Sequence, residues 1–214
     1  LSLDKPLFAF MTICVNGQHG MFIRLSHIIS DGLSLYLIAN YLDDIYTAKY
    51  IDNKVLCIEE YPYMEIIEDG EKYRDSDKYF NDIEFWREQI KEGCNFISLS
   101  DKKREGYKTV RHQFKYSIED SRIIEDFCKT NNISEFVLFF GLLGMYVSVM
   151  TGEEDFFLGT NLLNRSNKQR VAIGMYVTTN ILRYQHDEEK KCHELFKECK
   201  RSIFNTMRHG QITY

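Results

Sequence analysis

The chain has 214 residues, 44% of them hydrophobic and 14% aromatic, enough to bury a sizeable core and too apolar for a disordered segment. Its formal net charge of -5 gives no basic footprint for nucleic acid or for an anionic membrane surface. Length alone allows one large domain or two small ones.

The opening residues, Leu1-Ser2-Leu3-Asp4-Lys5-Pro6, carry neither an initiator Met nor a basic-then-apolar signal segment, and the chain reads as a piece of something longer. Residues 7–15 are almost continuously apolar, the pattern of a strand covered on both faces, and Asn16-Gly17 is a strong turn signal. Residues 21–27 alternate, with Met21, Ile23, Leu25 and His27 on one face and Phe22, Arg24 and Ser26 on the other. The two runs predict a hairpin that places His27 on the apolar, inward face.

The word Ser26-His27-Ile28-Ile29-Ser30-Asp31-Gly32 follows, where strand hands over to helix. Leu35, Ile38, Ala39, Leu42 and Ile45 recur at i, i+3, i+4, i+7, which predicts a helix over about 33–46 with Asp31 as its N-cap. A histidine beside a carboxylate and a glycine can present a ring nitrogen to a crevice, and the small Gly32 lets a ligand or another backbone come close. Taken alone, a histidine on an apolar face is more often a satisfied core residue, and Asp-Gly before a helix is more often punctuation.

Residues 49–60 lack periodicity and read as a connector. Tyr61-Pro62-Tyr63-Met64-Glu65 can open a short helix, with Pro tolerated in the first turn. Tyr79, Phe80, Ile83, Trp86 and Ile90 then recur at helical spacing. Residues 94–111 form a polar crossover, with Asp101-Lys102-Lys103-Arg104-Glu105 as a solvated loop.

Residues 110–116 predict a strand, and Ser117-Ile118-Glu119-Asp120 is a helix start of the Ser-x-x-Asp kind. One helix carries Ile123, Ile124, Phe127 and Cys128. A second, introduced by Ser134, is the apolar run 136–150, too short to span a bilayer comfortably and so a core helix. Thr151-Gly152-Glu153-Glu154 stops it, and residues 155–160 enter a strand that ends in Gly159-Thr160. Arg165 lies in Asn164-Arg165-Ser166, and Ile173-Gly174-Met175-Tyr176-Val177-Thr178-Thr179 leads to Arg183. After a charged turn at 187–191, Leu195, Phe196, Cys199, Ile203 and Met207 form the buried stripe of a last helix, which ends at His209-Gly210-Gln211-Ile212-Thr213-Tyr214.

The six cysteines show no C-x-x-C pair and read as small buried hydrophobes, free thiols of a reducing cytoplasm. His19, His112, His186, His193 and His209 are scattered without metal-ligand spacing, so no metal site is expected.

Taken in order, these words resemble the motifs of condensation domains of nonribosomal peptide synthetases, relatives of chloramphenicol acetyltransferase. The H-H-x-x-x-D-G motif maps its second histidine onto His27, its aspartate onto Asp31 and its glycine onto Gly32, while Ser26 stands at its first histidine and Ser30 lies within it. The Ile-Gly-x-Phe-Val-Asn-Thr motif maps onto residues 173–179, with Thr178 where Asn is usual, Thr179 at its Thr and Arg183 at its closing arginine. His209 begins a loosened form of His-Gln-Asp-x-Pro-Phe. The match covers all 214 residues in order but only about the middle half of a family domain.

The resemblance implies an α/β fold, a two-layer sandwich of chloramphenicol acetyltransferase-like half-domains with mixed sheets and flanking helices. On that scheme residues 1–100 end the first half-domain and 101–214 begin the second, with the boundary in the crossover near 94–108. It implies an Asp31 to Arg165 ion pair that joins the two halves and holds the His27 loop in shape. The implied reaction is acyl transfer, from a thioester on the 4'-phosphopantetheine arm of one carrier protein to the amine of an aminoacyl group on the next. No cofactor is bound directly, and an adjoining adenylation domain and two carrier domains are the implied partners. His27 can act as general base, position the amine or stabilise charge in the tetrahedral intermediate. Epimerisation or O-acylation on the same fold, and a non-catalytic carrier-docking remnant, are the rival readings.

Overall fold

The computed structural model describes residues 4–59, 61–90, 97, 99, 110–185, 187 and 189–212. Two compact units divide the chain: Leu1–Tyr79 with Leu163–Thr178, and Phe80–Leu162 with Thr179–Tyr214. The units are interleaved in sequence. Of the crossover near 94–108 only residues 97 and 99 are described, and the charged loop 101–105, Cys94, His186, Thr213 and Tyr214 lie outside the described residues.

The first unit opens with an antiparallel hairpin of β1 (Phe8–Val15) and β2 (Gln18–Leu25), in register from Phe8 opposite Leu25 to Val15 opposite Gln18. Its two-residue turn has φ of 51° at Asn16 and 78° at Gly17, the left-handed pair that matches strand twist and that Asn-Gly supplies most cheaply. The reading of residues 7–15 as a strand covered on both faces is corrected. Phe8, Phe10, Met11, Ile13 and Val15 are all exposed, because among the described residues the hairpin is a two-stranded sheet on its own.

Helix α1 (Gly32–Tyr50) runs a turn longer than its apolar spacing predicts. Helix α2 (Tyr63–Arg74) begins after Pro62, whose φ of -61° is already helical and whose absent N–H would have had no partner there. A 3-10 turn at Lys168–Val171 is held to α1 by the Tyr41 hydroxyl, which donates to the Val171 carbonyl at 3.1 Å.

The second unit contains most of α3 (Asp77–Ile90), then α4 (Ile118–Asn131), α5 (Glu135–Thr151), β3 (Asp155–Leu162), β4 (Thr178–Gln185) and α6 (Cys192–His209), with β3 and β4 paired in a two-stranded sheet. Ser117 and Asp120 close a reciprocal capping box on α4, and Ser134 caps α5 through Val137 N–H. Gly152, at φ 73°, ends α5 in the left-handed conformation.

The apolar core lies in this unit, where Val137, Leu138, Phe140, Val147, Phe156, Leu182, Tyr184, Leu195, Phe196 and Ile203 pack together. No single helix among the described residues is long and apolar enough to cross a membrane.

Three sequence expectations are corrected here. Residues 110–116 form no strand: Val110, Phe114 and Tyr116 are exposed, and no neighbouring strand among the described residues supplies a ladder. On α6, Thr206 is buried and Met207 is exposed, a shift of one position around the helix. Cys128 and Cys199 are buried thiols, but Cys14, Cys57 and Cys192 are exposed.

Candidate functional site

The site begins where β2 stops. Ser26 is the last residue to pair as in a strand, its N–H donating to the Leu7 carbonyl at 2.7 Å. Its own carbonyl then accepts from Ile29 N–H at 3.1 Å and from the Ser30 hydroxyl at 2.9 Å, which turns the chain through 27–29. This corrects the placement of His27 on the inward face. The two-residue alternation ends at Leu25, and His27 stands exposed on the turn.

From Ser30 onward burial sets in abruptly. Asp31 caps α1, accepting from Ser34 N–H at 2.9 Å, and both its carboxylate oxygens accept from Arg165 Nη2, at 2.8 and 2.9 Å. The Asp31 and Arg165 side chains are 0% and 2% exposed. Arg165 Nη1 donates to the carbonyls of Gln169 and Ala172, so residues 165–172 wrap around their own guanidinium. The Tyr176 ring lies beneath it, 4.0 Å from Cζ to the ring centroid, while Tyr176 N–H donates to Asp31 Oδ2 at 3.2 Å.

Burial alone would raise the pKa of Asp31. The hydrogen bonds from Ser34, Arg165 and Tyr176 outweigh it and hold the carboxyl below its ordinary value. A buried pair of this kind stabilises little over an apolar substitute, yet breaking it by removing one member costs about 3–5 kcal/mol.

The structure therefore brings Asp31, Arg165 and Gly174 together, next to the turn of Ser26, His27 and Ser30. The ion pair lies within the first unit, whose chain returns at Leu163–Thr178. A Cβ at Gly32 would meet nothing within 4 Å, so the space beside it is open.

Thr178 is half-buried at the start of β4, while Thr179, Arg183 and His209 belong to the second unit. Thr179 donates to Asn161 Oδ1 at 3.1 Å. Arg183 Nε donates to Asp155 Oδ1 at 2.8 Å and holds that carboxyl below its ordinary value. His209 Nδ1 is 2.7 Å from Asp82 Oδ1, and its ring stacks on Phe85 at 4.1 Å.

Sequence reasoning missed Ser34 and the stacking role of Tyr176. The signal for Ser34 was present: a serine three residues after an aspartate N-cap faces back toward it.

The hairpin that feeds a histidine turn, followed by a capped helix whose N-terminal carboxylate is clasped by a distant arginine, is part of an α/β fold, and solved condensation domains share that fold. The first condensation domain of the calcium-dependent antibiotic synthetase, in complex with substrate analogue 3a, superposes with a TM-score of 0.83 at 17% identity, over 100% of this chain and 48% of that one. VibH, a condensation enzyme of nonribosomal peptide synthesis, gives 0.81 at 17% identity, over 98% of this chain and 50% of its own.

The condensation-domain family model matches residues 2–214, and the chain belongs to that family. It is 25% identical over 99% of its length to surfactin synthase subunit 1 of Bacillus subtilis (strain 168), of which it spans 6%. The dimodular nonribosomal peptide synthase of the same strain is 25% identical over 89% of this chain, a match that spans 8% of that protein. The chain thus spans about half the length of the solved condensation domains it matches and a small part of the curated synthetases.

Proposed function

We propose that this chain carries the histidine site of a condensation reaction. In it, an aminoacyl or peptidyl group leaves its thioester on the phosphopantetheine arm of one carrier protein and joins the amine of an aminoacyl group on a second. The amine nitrogen attacks the thioester carbonyl, the C–N bond forms, the C–S bond breaks, and the departing sulfur takes up a proton as the amine gives one up. His27 receives or directs the amine proton, since an imidazole carries one ring nitrogen that accepts a proton and one N–H that donates. Asp31 and Arg165 do not touch the reacting atoms on this reading; they hold the end of the turn that presents His27.

The observation that supports this most directly is the exposed His27 ring, on a turn whose next helix is anchored by a fully buried carboxylate. A rigid support behind an accessible imidazole is what positioning for acyl transfer requires. Carrier and adenylation domains are the partners this reading calls for, as the matched relatives are synthetases, and the pantetheine arms enter as substrates. The cytoplasm is its setting.

Replacing His27 with Ala in the full polypeptide that carries this domain is expected to abolish condensed product while both carriers still load. Undiminished turnover would refute the proposal. Mass spectrometry of the carrier-bound product separates amide formation from epimerisation or ester formation, the other outcomes on this fold.

A further inference from the structure

Ser34 has 0% exposure, and its hydroxyl lies within hydrogen-bond distance of four groups. Gly174 N–H donates to it at 3.0 Å and Arg165 Nη2 at 3.1 Å, which fills both lone pairs of the oxygen. Its single proton then goes to the Gly174 carbonyl at 2.8 Å or to Asp31 Oδ1 at 2.9 Å. One hydroxyl on the first turn of α1 thus ties the capping carboxylate, the guanidinium and both backbone groups of Gly174.

Asp31 touches the returning segment through Arg165 and Tyr176 N–H, and Arg165 Nη2 reaches the Gly174 carbonyl at 3.3 Å. Ser34 makes the shorter contacts with that residue, accepting from its N–H at 3.0 Å and meeting its carbonyl at 2.8 Å. A Cβ at Gly174 would stand 2.9 Å from Tyr176 Cε2, so any side chain there would require that ring to shift. The helix end held by Ser34 is also the far end of the His27 turn, whose near end the Ser30 hydroxyl clasps through the Ser26 carbonyl.

We propose that Ser34 is a positioning residue of the acyl transfer, fixing the register of the α1 N-terminus against Gly174 and thereby the place of the His27 turn. The proposal rests on the function assigned to His27 above. The alternative is a buried serine that is merely satisfied, whose loss weakens the fold and nothing else.

The test uses the full polypeptide with both carriers loaded, comparing the wild type with Ser34→Ala and with the volume-conserving Ser34→Cys. Circular dichroism melting is recorded for each. Ser34→Cys keeps the site filled but offers a weak donor and acceptor, so it remains informative should Ser34→Ala fail to fold. The expected result is a kcat lower by roughly 10- to 100-fold, the scale of a small misplacement, with KM for the acceptor carrier unchanged in a variant that melts as a folded domain. Wild-type kcat in folded Ser34→Cys overturns the proposal, as does a loss of rate that only tracks the loss of folded protein. Failure of the underlying function is read separately, as turnover that survives His27→Ala.

Discussion

Asp31 joins three parts of the first unit: it caps α1, accepts both contacts from Arg165 Nη2 and receives Tyr176 N–H. Its carboxyl is held below the ordinary value, so the charged form is favoured in the folded state. Its stabilising contribution is complete above the unfolded-state pKa and is lost as pH falls through the lower folded value. Acid titration of stability is therefore expected to show a fall in that window that Asp31→Asn flattens, with the variant less stable at neutral pH. Equal acid limbs by denaturant unfolding across pH would contradict this.

The pairing of Asp31 with Arg165 was implied by the resemblance to the family, while the residues alone indicated only the Asp31 cap. Strand alternation misplaced His27. Alternation in a strand persists only while the ladder does, and here the Ser26 carbonyl is taken by a turn instead.

Helix α5 shows how packing can override propensity. Gly141 and Gly144 sit in its interior, where glycine costs about 1 kcal/mol relative to alanine. A methyl at Gly144 would overlap the ring of Tyr184, and one at Gly141 would stand 2.7 Å from Phe196 Cε1. Tyr184 in turn packs against Phe140 and Phe156, with centroids 6.1 and 5.1 Å away, so it has little room to yield. Gly144→Ala is thus expected to destabilise by about 1–3 kcal/mol, the overpacking term exceeding the helical gain. Thermal unfolding decides it, and a raised melting temperature would show that the ring can move. The same helix was readable as a core element from its composition and its Ser134 start. The two glycines were not readable as contact points, since the rings that fill them come from β4 and α6.

Exposed apolar side chains include Phe8, Phe10, Met11, Ile13, Val15, Met21 and Phe22 on the hairpin, and Phe136, Phe139, Leu142, Leu143, Tyr146, Val149 and Met150 along α5. Contiguous apolar surface of this kind marks a contact region. A polypeptide of these 214 residues is expected to bind a hydrophobic dye and to sediment above monomer mass. Phe10→Lys with Ile13→Lys on β1 should reduce both, and a dye-negative monomer would count against the exposure.

Turn, caps and helix stripes were determined within the sequence, as each rests on hydrogen bonds or side-chain spacing spanning two to four residues. The exposure of β1 on both faces, the place of His27 on a turn and the bonds of Ser34 to Gly174 were decided only in three dimensions. The groups responsible, such as Gly174 at 140 residues from Ser34, are brought near by the return of the chain at Leu163–Thr178, and no local pattern encodes that return.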